Sequence, residues 1–199
     1  MTIKPGDPWG QMVPLPADAV EVYDDDEVAE LVTRGTAVLV RGGDLARTLG
    51  ALTGRSATAN ALPIDLIETS IDGAPVGVAC AHVVARRPWW RGGWLSGPVL
   101  LVMNAEFLGS WDVAPRGHPN DGRAEVFETV SLSLRQRLAA RRRLRTAAHV
   151  PHPEIVTRSV RTASFEYDEE LEVLLDGRRT GRASTIAVRV IPDAAVVYA

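Results

Sequence analysis

The alternation of apolar and polar positions divides the chain into a short helical opening and a long β-rich remainder. Val99 to Met103 is continuously apolar, as suits a strand buried on both faces, and Arg123 to Val130 reads as a second, less regular strand. Leu62 to Ile71 and Val76 to Val84 form two strands around an Asp72-Gly73 turn, and Leu171 to Leu175 before Asp176-Gly177 repeats the device. Ser159 to Tyr167, Ala183 to Ile191 and Ala194 to Tyr198 complete the set. Repeated Asp-Gly hairpins with few helices predict an α+β fold that is mainly β, an antiparallel two-layer β-sandwich.

Four segments are expected to be helical or arm-like instead. Asp24-Asp25-Asp26-Glu27 supplies an N-cap and an acidic first turn for a short helix with Val28, Leu31 and Val32 facing inward and Gly35 as its stop. A metal site is the sharper reading of the three aspartates, but consecutive carboxylates cannot all point at one ion. Thr36 to Val40 reads as a buried strand, and Gly42-Gly43-Asp44 turns it into a helix running to about Leu52. Ser131 to Ala148 should be helical, while Met1 to Pro16, with four prolines, reads as an extended arm. The organisation expected is one domain, with residues 1–56 as arm and helix-strand-helix piece and residues 57–199 as sandwich.

Composition narrows the function classes. The net charge is -3, so a generally nucleic-acid-seeking surface is not expected. Cys80 is the only cysteine, which excludes a disulfide framework or a cysteine metal cluster and suits a reducing cytoplasm. Lys4 is the only lysine, so a Gly-Lys-Ser/Thr phosphate loop is excluded. No stretch approaches the roughly 20 apolar residues of a membrane span, and the N-terminus does not read as a signal.

Basic charge is local. Arg137, Arg141 and Arg145 form an i, i+4 ladder beside Leu134, Leu138, Leu144 and Ala148, and no acid lies between Glu128 and Glu154. The ladder is read either as an anion contact or as a solvated face pairing with the acidic N-terminal segment. Arg86 to Pro98 carries three tryptophans and three arginines. It reads as a lipid-headgroup or membrane-interface contact, or as aromatics closing the sandwich or meeting a subunit. His149 and His152 have metal-ligand spacing but are flanked by Val150, Pro151 and Pro153, which favours loop packing.

Candidate chemistry concentrates between the strands ending at Met103 and starting at Arg123. Asn104, Asp112, Pro115, Arg116, His118, Asn120 and Asp121 lie there, in a loop shaped by glycines and prolines. The segment APRGHPNDGRAEVF, the following helix start and the later AAHVPHPEI resemble the C-terminal domain of bacterial diacylglycerol-kinase-like lipid kinases, a sandwich related to that of NAD kinases. The shared features are Asn104, Gly109, Ala114-Pro115, Asp121-Gly122 and His149 to Pro153. Upstream, Arg41 to Gly50, RGGDLARTLG, is similar to the family's Gly-Thr-Gly-Asn-Asp-Phe-Ala-Arg-Thr-Leu-Gly segment, which closes its nucleotide-binding half. The two matches stand in the family's order, and together they span about Asp24 to Ala199.

The resemblance implies Asp121 as a candidate general base, Gly42, Gly43 and Asp44 as a phosphate site, and Asn104 as a ligand contact. The chain departs from the pattern where the family's Thr and Asn fall on Arg41 and Gly43, and it has no counterpart of the earlier Gly-Gly-Asp-Gly-Thr loop. The expectation is therefore a truncated lipid-kinase-like protein without a complete ATP-binding domain. It would bind a lipid, a small molecule or a partner, without metal or cofactor and without independent kinase activity. The alternative is a half-kinase that, with magnesium, ATP and another chain, phosphorylates a diacylglycerol-like alcohol. A homodimer is also expected, because the strand Thr36 to Val40 would otherwise leave its edges unpaired.

Overall fold

β-branched runs separated by Asp-Gly turns leave the chain little choice but hairpins, and the structure is built from them. The structure, a computed structural model, describes residues 9–51, 57–129, 131–148 and 152–199. Its strands are β1 (Gln11–Pro14), β2 (Val20–Val22), β3 (Val38–Val40), β4 (Thr58–Ile71), β5 (Ala74–Ala79), β6 (His82–Arg86), β7 (Val99–Met103), β8 (Phe107–Leu108), β9 (Trp111–Asp112), β10 (Ala124–Thr129), β11 (Ile155–Val160), β12 (Thr162–Leu175) and β13 (Arg178–Tyr198). Its α-helices are α1 (Asp25–Thr33), α2 (Gly43–Leu49) and α3 (Leu134–Arg143).

Eleven strands form one connected sheet in the order β1-β4-β13-β12-β6-β7-β10-β11, with β5 also on β4, β3 on β13 and β2 on β3. Register shifts interrupt β12 between Glu166 and Leu171 and β13 between Ile191 and Ala195. Such bulges bend a strand. The sheet thereby encloses a core in which Ile67, Ile186 and Val188 meet Val83, Leu100, Val126 and Phe165. This is the mainly antiparallel, sandwich-like architecture that the hairpin pattern predicts. The Asp72-Gly73 and Asp176-Gly177 turns both have two consecutive positive φ values (45° and 82°, 48° and 83°), as two-residue hairpins of this hand require.

Several boundaries differ from expectation, each for a local reason. Val76 to Val84 is not one strand: β5 pairs with β4, whereas β6 pairs with β12 and β7, and the chain changes partners at Cys80 and Ala81. Residues 11–14 of the expected arm pair with β4. α3 starts later than Ser131, at a capping box in which Ser133 and Gln136 satisfy each other's backbone. The far end of the helix beginning at Gly43 (Leu52), residues 1–8 of the arm with Lys4, Val130 and His149 lie outside the described residues.

β2, α1 and β3 form a parallel βαβ unit, and β3 pairs parallel with β13 as well as β2. Both edges of β3 are thus used within the chain, and the strand supplies no reason for a second copy. Val28 is fully buried, Leu31 and Val32 pack against the same cluster, and Gly35 ends α1 at φ 76°.

Candidate functional site

The outer face of β7 and β10 carries Val99, Leu101, Met103 and Phe127, and the short β8-β9 hairpin packs Leu108 and Trp111 against it. α3 and the 3-10 turn Gly93–Leu95, which follows the turn Trp89–Arg91, complete the cover. They leave a cavity of about 300 Å³ lined by Trp94, Leu101, Trp111, Val113, Phe127 and Leu144. Trp94 meets Trp111 edge-to-face at 5.4 Å. Arg137 holds this roof in place. Its guanidinium is buried and donates to the carbonyls of Leu132 (3.0 Å), Trp94 (3.2 Å) and Gly97.

A second cluster surrounds the start of α2. The buried Asp25 carboxylate accepts the N–H groups of Asp44 (2.7 Å) and Leu45 (3.1 Å), so it occupies the amides that the turn would otherwise offer to phosphate. The fit is close: a Cβ on Gly43 would lie 2.2 Å from Asp25 Oδ1. Asp44 accepts the Gly109 N–H (2.8 Å) and meets His82 Nε2 at 3.0 Å, which joins α2 to the loop after β7 and to β6. Asp176 accepts the N–H groups of Cys80 (2.7 Å), Ala81 (2.9 Å) and His82 (2.8 Å), holding the chain where it changes strand partners. Asp24, the N-cap residue of α1, makes no side-chain cap bond; of the three consecutive aspartates it is Asp25 that turns inward. Asp25, Asp44 and His82 offer ligand atoms within 4.8 Å of one another, a set that could hold a metal ion and that the spacing of the sequence does not suggest.

Burial pushes Asp25 up to about 6 against its two amide bonds. Burial also pushes Asp44 upward, but the bonds to His82 and Gly109 and the charge of Arg47 hold it below the usual carboxylate range. For His82 burial acts downward, yet the Asp44 bond and the charges of Asp176, Asp44 and Asp25 raise it. The raised His82 contributes stability that is complete below 6.5 and is lost as pH rises through its folded value. Asp44 contributes stability above 3.8 that is lost as pH falls through its depressed value. Asp25 works the other way, favouring the protonated folded state, so stability declines as pH climbs from 3.8 to about 6. Asp25→Asn is therefore expected to lessen the decline between 3.8 and about 6, to which the raised Asp65, Asp121 and Asp176 also contribute, while leaving the decline above 6.5, measured as urea midpoints across pH. An unchanged profile would remove Asp25 from the account.

The third cluster shapes the polar loop. Asp65, fully buried in β4, accepts the N–H groups of Gly122 (2.6 Å) and Asp193 (2.9 Å), and Asn120 lies 3.4 Å away. Asn104 is also buried and donates to the carbonyls of Asp65 and Cys80, standing between the second and third clusters. Asp121 is half-buried, accepts the Arg123 N–H (2.9 Å) and is pushed up by burial and the charge of Glu125. An asparagine makes the same turn bond. Asp121→Asn is expected to change stability by less than about 0.5 kcal/mol, with Asp112→Asn as control; a larger loss in calorimetry would show that the carboxylate itself holds the loop.

The residues singled out by sequence thus separate. Gly42, Gly43 and Asp44 form a turn closed by Asp25, Asn104 is an internal brace, and Arg137 spends its donors on carbonyls. Arg141 and Arg145 are exposed, with Arg141 5.9 Å above the Trp111 ring. Sequence reading missed Asp25, Asp65, His82 and Asp176 as organisers. For Asp65 and His82 the signal was present, since each is an ionisable residue inside an apolar run.

No family model and no curated protein matches the sequence. Solved structures do. A Bacillus anthracis str. Sterne protein assigned as a diacylglycerol kinase superposes with TM-score 0.65 and 16% identity over 92% of this chain and 78% of its own. A second structure so assigned gives 0.63 and 16% over 90% and 77%. A diacylglycerol kinase structure from the same organism gives 0.62 and 14% over 92% and 76%. The chain has a diacylglycerol-kinase-like fold.

Proposed function

We propose that this protein is a lipid-kinase-like binding protein: it holds the apolar part of a lipid or similar small molecule beneath α3 and does not phosphorylate it unaided. The observation that carries the reading is the cavity of about 300 Å³, at the lower end of the range of ligand pockets. Its walls are mostly aromatic and aliphatic, with Arg137 and Arg141 on the α3 side, so the apolar part of the occupant is recognised by shape and burial. The closed turn at Gly42-Gly43 supports the absence of kinase activity, because the amides a phosphate would need are bonded to Asp25. A cytoplasmic location and a homodimer, the latter through a surface other than the paired strand β3, belong to the same reading. The dimer is checked by sedimentation, where a monomer across micromolar concentrations would end it.

Native mass spectrometry of the purified protein is expected to find a retained apolar ligand, and an empty protein that also fails to take up diacylglycerol or fatty acid would overturn the reading. ATP with magnesium should leave the melting temperature unchanged, whereas a ligand at about 100 times its Kd adds about 2.7 kcal/mol. The second reading is the half-kinase completed by another chain, with Asp121 as general base. What favours it is the Asp25, Asp44 and His82 set, which could hold a metal ion. A magnesium-dependent stabilisation by ATP would select it.

A further inference from the structure

Five of the ten large apolar residues exposed among the described residues fall in two short segments: Trp89 (76%), Trp90 (51%), Leu95 (48%), Leu134 (53%) and Leu138 (45%). The Trp94–Gly97 end of the first segment adjoins α3, since Arg137 bonds the carbonyls of Trp94 and Gly97 and Leu95 and Leu138 line one cavity, while Trp90 at its other end faces Arg179 and Arg182 at 6.0 and 4.8 Å. Around them Arg135, Arg141, Arg142, Arg143 and Arg145 are exposed, and among the described residues none of the five forms an ion pair. Arg87 and Arg91 are different, because Glu169 neutralises them at 2.7 and 3.3 Å. A protein of net charge -3 has therefore gathered unpaired cations at one exposed apolar face.

We propose that this face, α3 with the Trp89–Leu95 turns, docks on an anionic lipid bilayer. Such a surface offers negative headgroups to the arginines and, just beneath them, an apolar layer in which indole and leucine side chains are stable. A second copy fits less well. A two-fold interface would place each arginine-rich α3 against its own counterpart, setting like charges face to face without an acid in residues 129–153 to separate them. Nucleic acid would satisfy the arginines but leave Leu134 and Leu138 unpartnered. The inference goes beyond the cavity as a ligand site and stands without it, although the cavity lies beneath the same face.

The test is co-sedimentation of the whole protein with vesicles of phosphatidylcholine alone or mixed with phosphatidylglycerol. Binding to the mixed vesicles only, falling with salt, is expected. Arg142→Gln with Arg143→Gln should weaken it on the order of 25-fold, at about fivefold per surface arginine. Trp89→Ser with Leu134→Ser should weaken it by at least about tenfold. All four side chains are exposed, and circular dichroism checks that the variants fold. The salt and headgroup comparisons on the unaltered protein need no variant. Ala140→Phe, which fills the cavity from α3, should leave vesicle binding intact while abolishing uptake of free lipid. No binding to the mixed vesicles, equal binding to neutral ones, or indifference to both double substitutions would overturn the proposal. So would loss of vesicle binding in Ala140→Phe, which would show that the vesicles act only as a source of cavity ligand. Failure of free-lipid uptake alone would count against the cavity reading and leave the docking face standing.

Discussion

Asp176→Ala should cost about 4 kcal/mol or more, enough to unfold much of the protein, because it strands three buried amides at one point. Cys80, Ala81 and His82 all donate to this carboxylate where the chain passes from β5 to β6. No neighbouring strand can take over those amides without changing the register of both partners. An unsatisfied buried amide costs about 1–3 kcal/mol, so three exceed a typical single-site effect. Asp176→Asn should lie between the two, since its one acceptor oxygen can serve part of the group while its NH2 faces donors. Urea unfolding measures both. If Asp176→Ala loses less than about 1 kcal/mol, the carboxylate does not hold the strand switch.

Arg137→Ala should lose about 3 kcal/mol, and most of that loss should be local to α3. Three carbonyls share one guanidinium, and bonds to a charged donor contribute about 1.5–3 kcal/mol each before relaxation. Burial and the nearby Arg87 push this side chain down from its ordinary value, yet a guanidinium stays charged in proteins. Without it, the 3-10 turn at Gly93–Leu95 and α3 have little to hold them over the outer face of β7 and β10. The cavity loses its roof, and ligand retention should fall with it. Hydrogen exchange would show this as faster exchange in residues 134–143 with protection unchanged in β6 and β12. Arg137→Lys should rescue only in part, because an ammonium cannot present a planar fork to three acceptors. Equal acceleration across the whole sheet would mean that Arg137 supports the global fold instead.

The tryptophan-rich loop shows why one-dimensional reading left alternatives open. Trp94 turns inward onto Trp111, as the packing reading has it, whereas Trp89 and Trp90 remain exposed. Three identical residue types within six positions carry no sign of direction; the left-handed backbone at Gly92 (φ 106°) between them decides it. The arginine ladder divides likewise. Arg137 and Arg141 share a helical face in sequence, but only Arg137 reaches carbonyls of the adjoining loop, while Arg141 stays exposed above the Trp111 ring.

The hairpins, the sandwich-like class and the inward face of α1 were written in the sequence, because they depend on near neighbours: Asp-Gly pairs suit a turn with two positive φ values, and apolar spacing selects a face. The fold resemblance carried by RGGDLARTLG and APRGHPNDGRAEVF was legible for the same reason, as a succession of turn residues. Tertiary structure alone decided what the carboxylates do. Asp25 reaches α2 across 19 positions, Asp65 braces Gly122 across 57, and Asp176 takes amides 94 to 96 positions away. A carboxylate in a turn and one that closes a distant helix look alike in sequence. Their difference lies in which unpaired amides the folded backbone brings near, and those amides have no position until the sheet has formed.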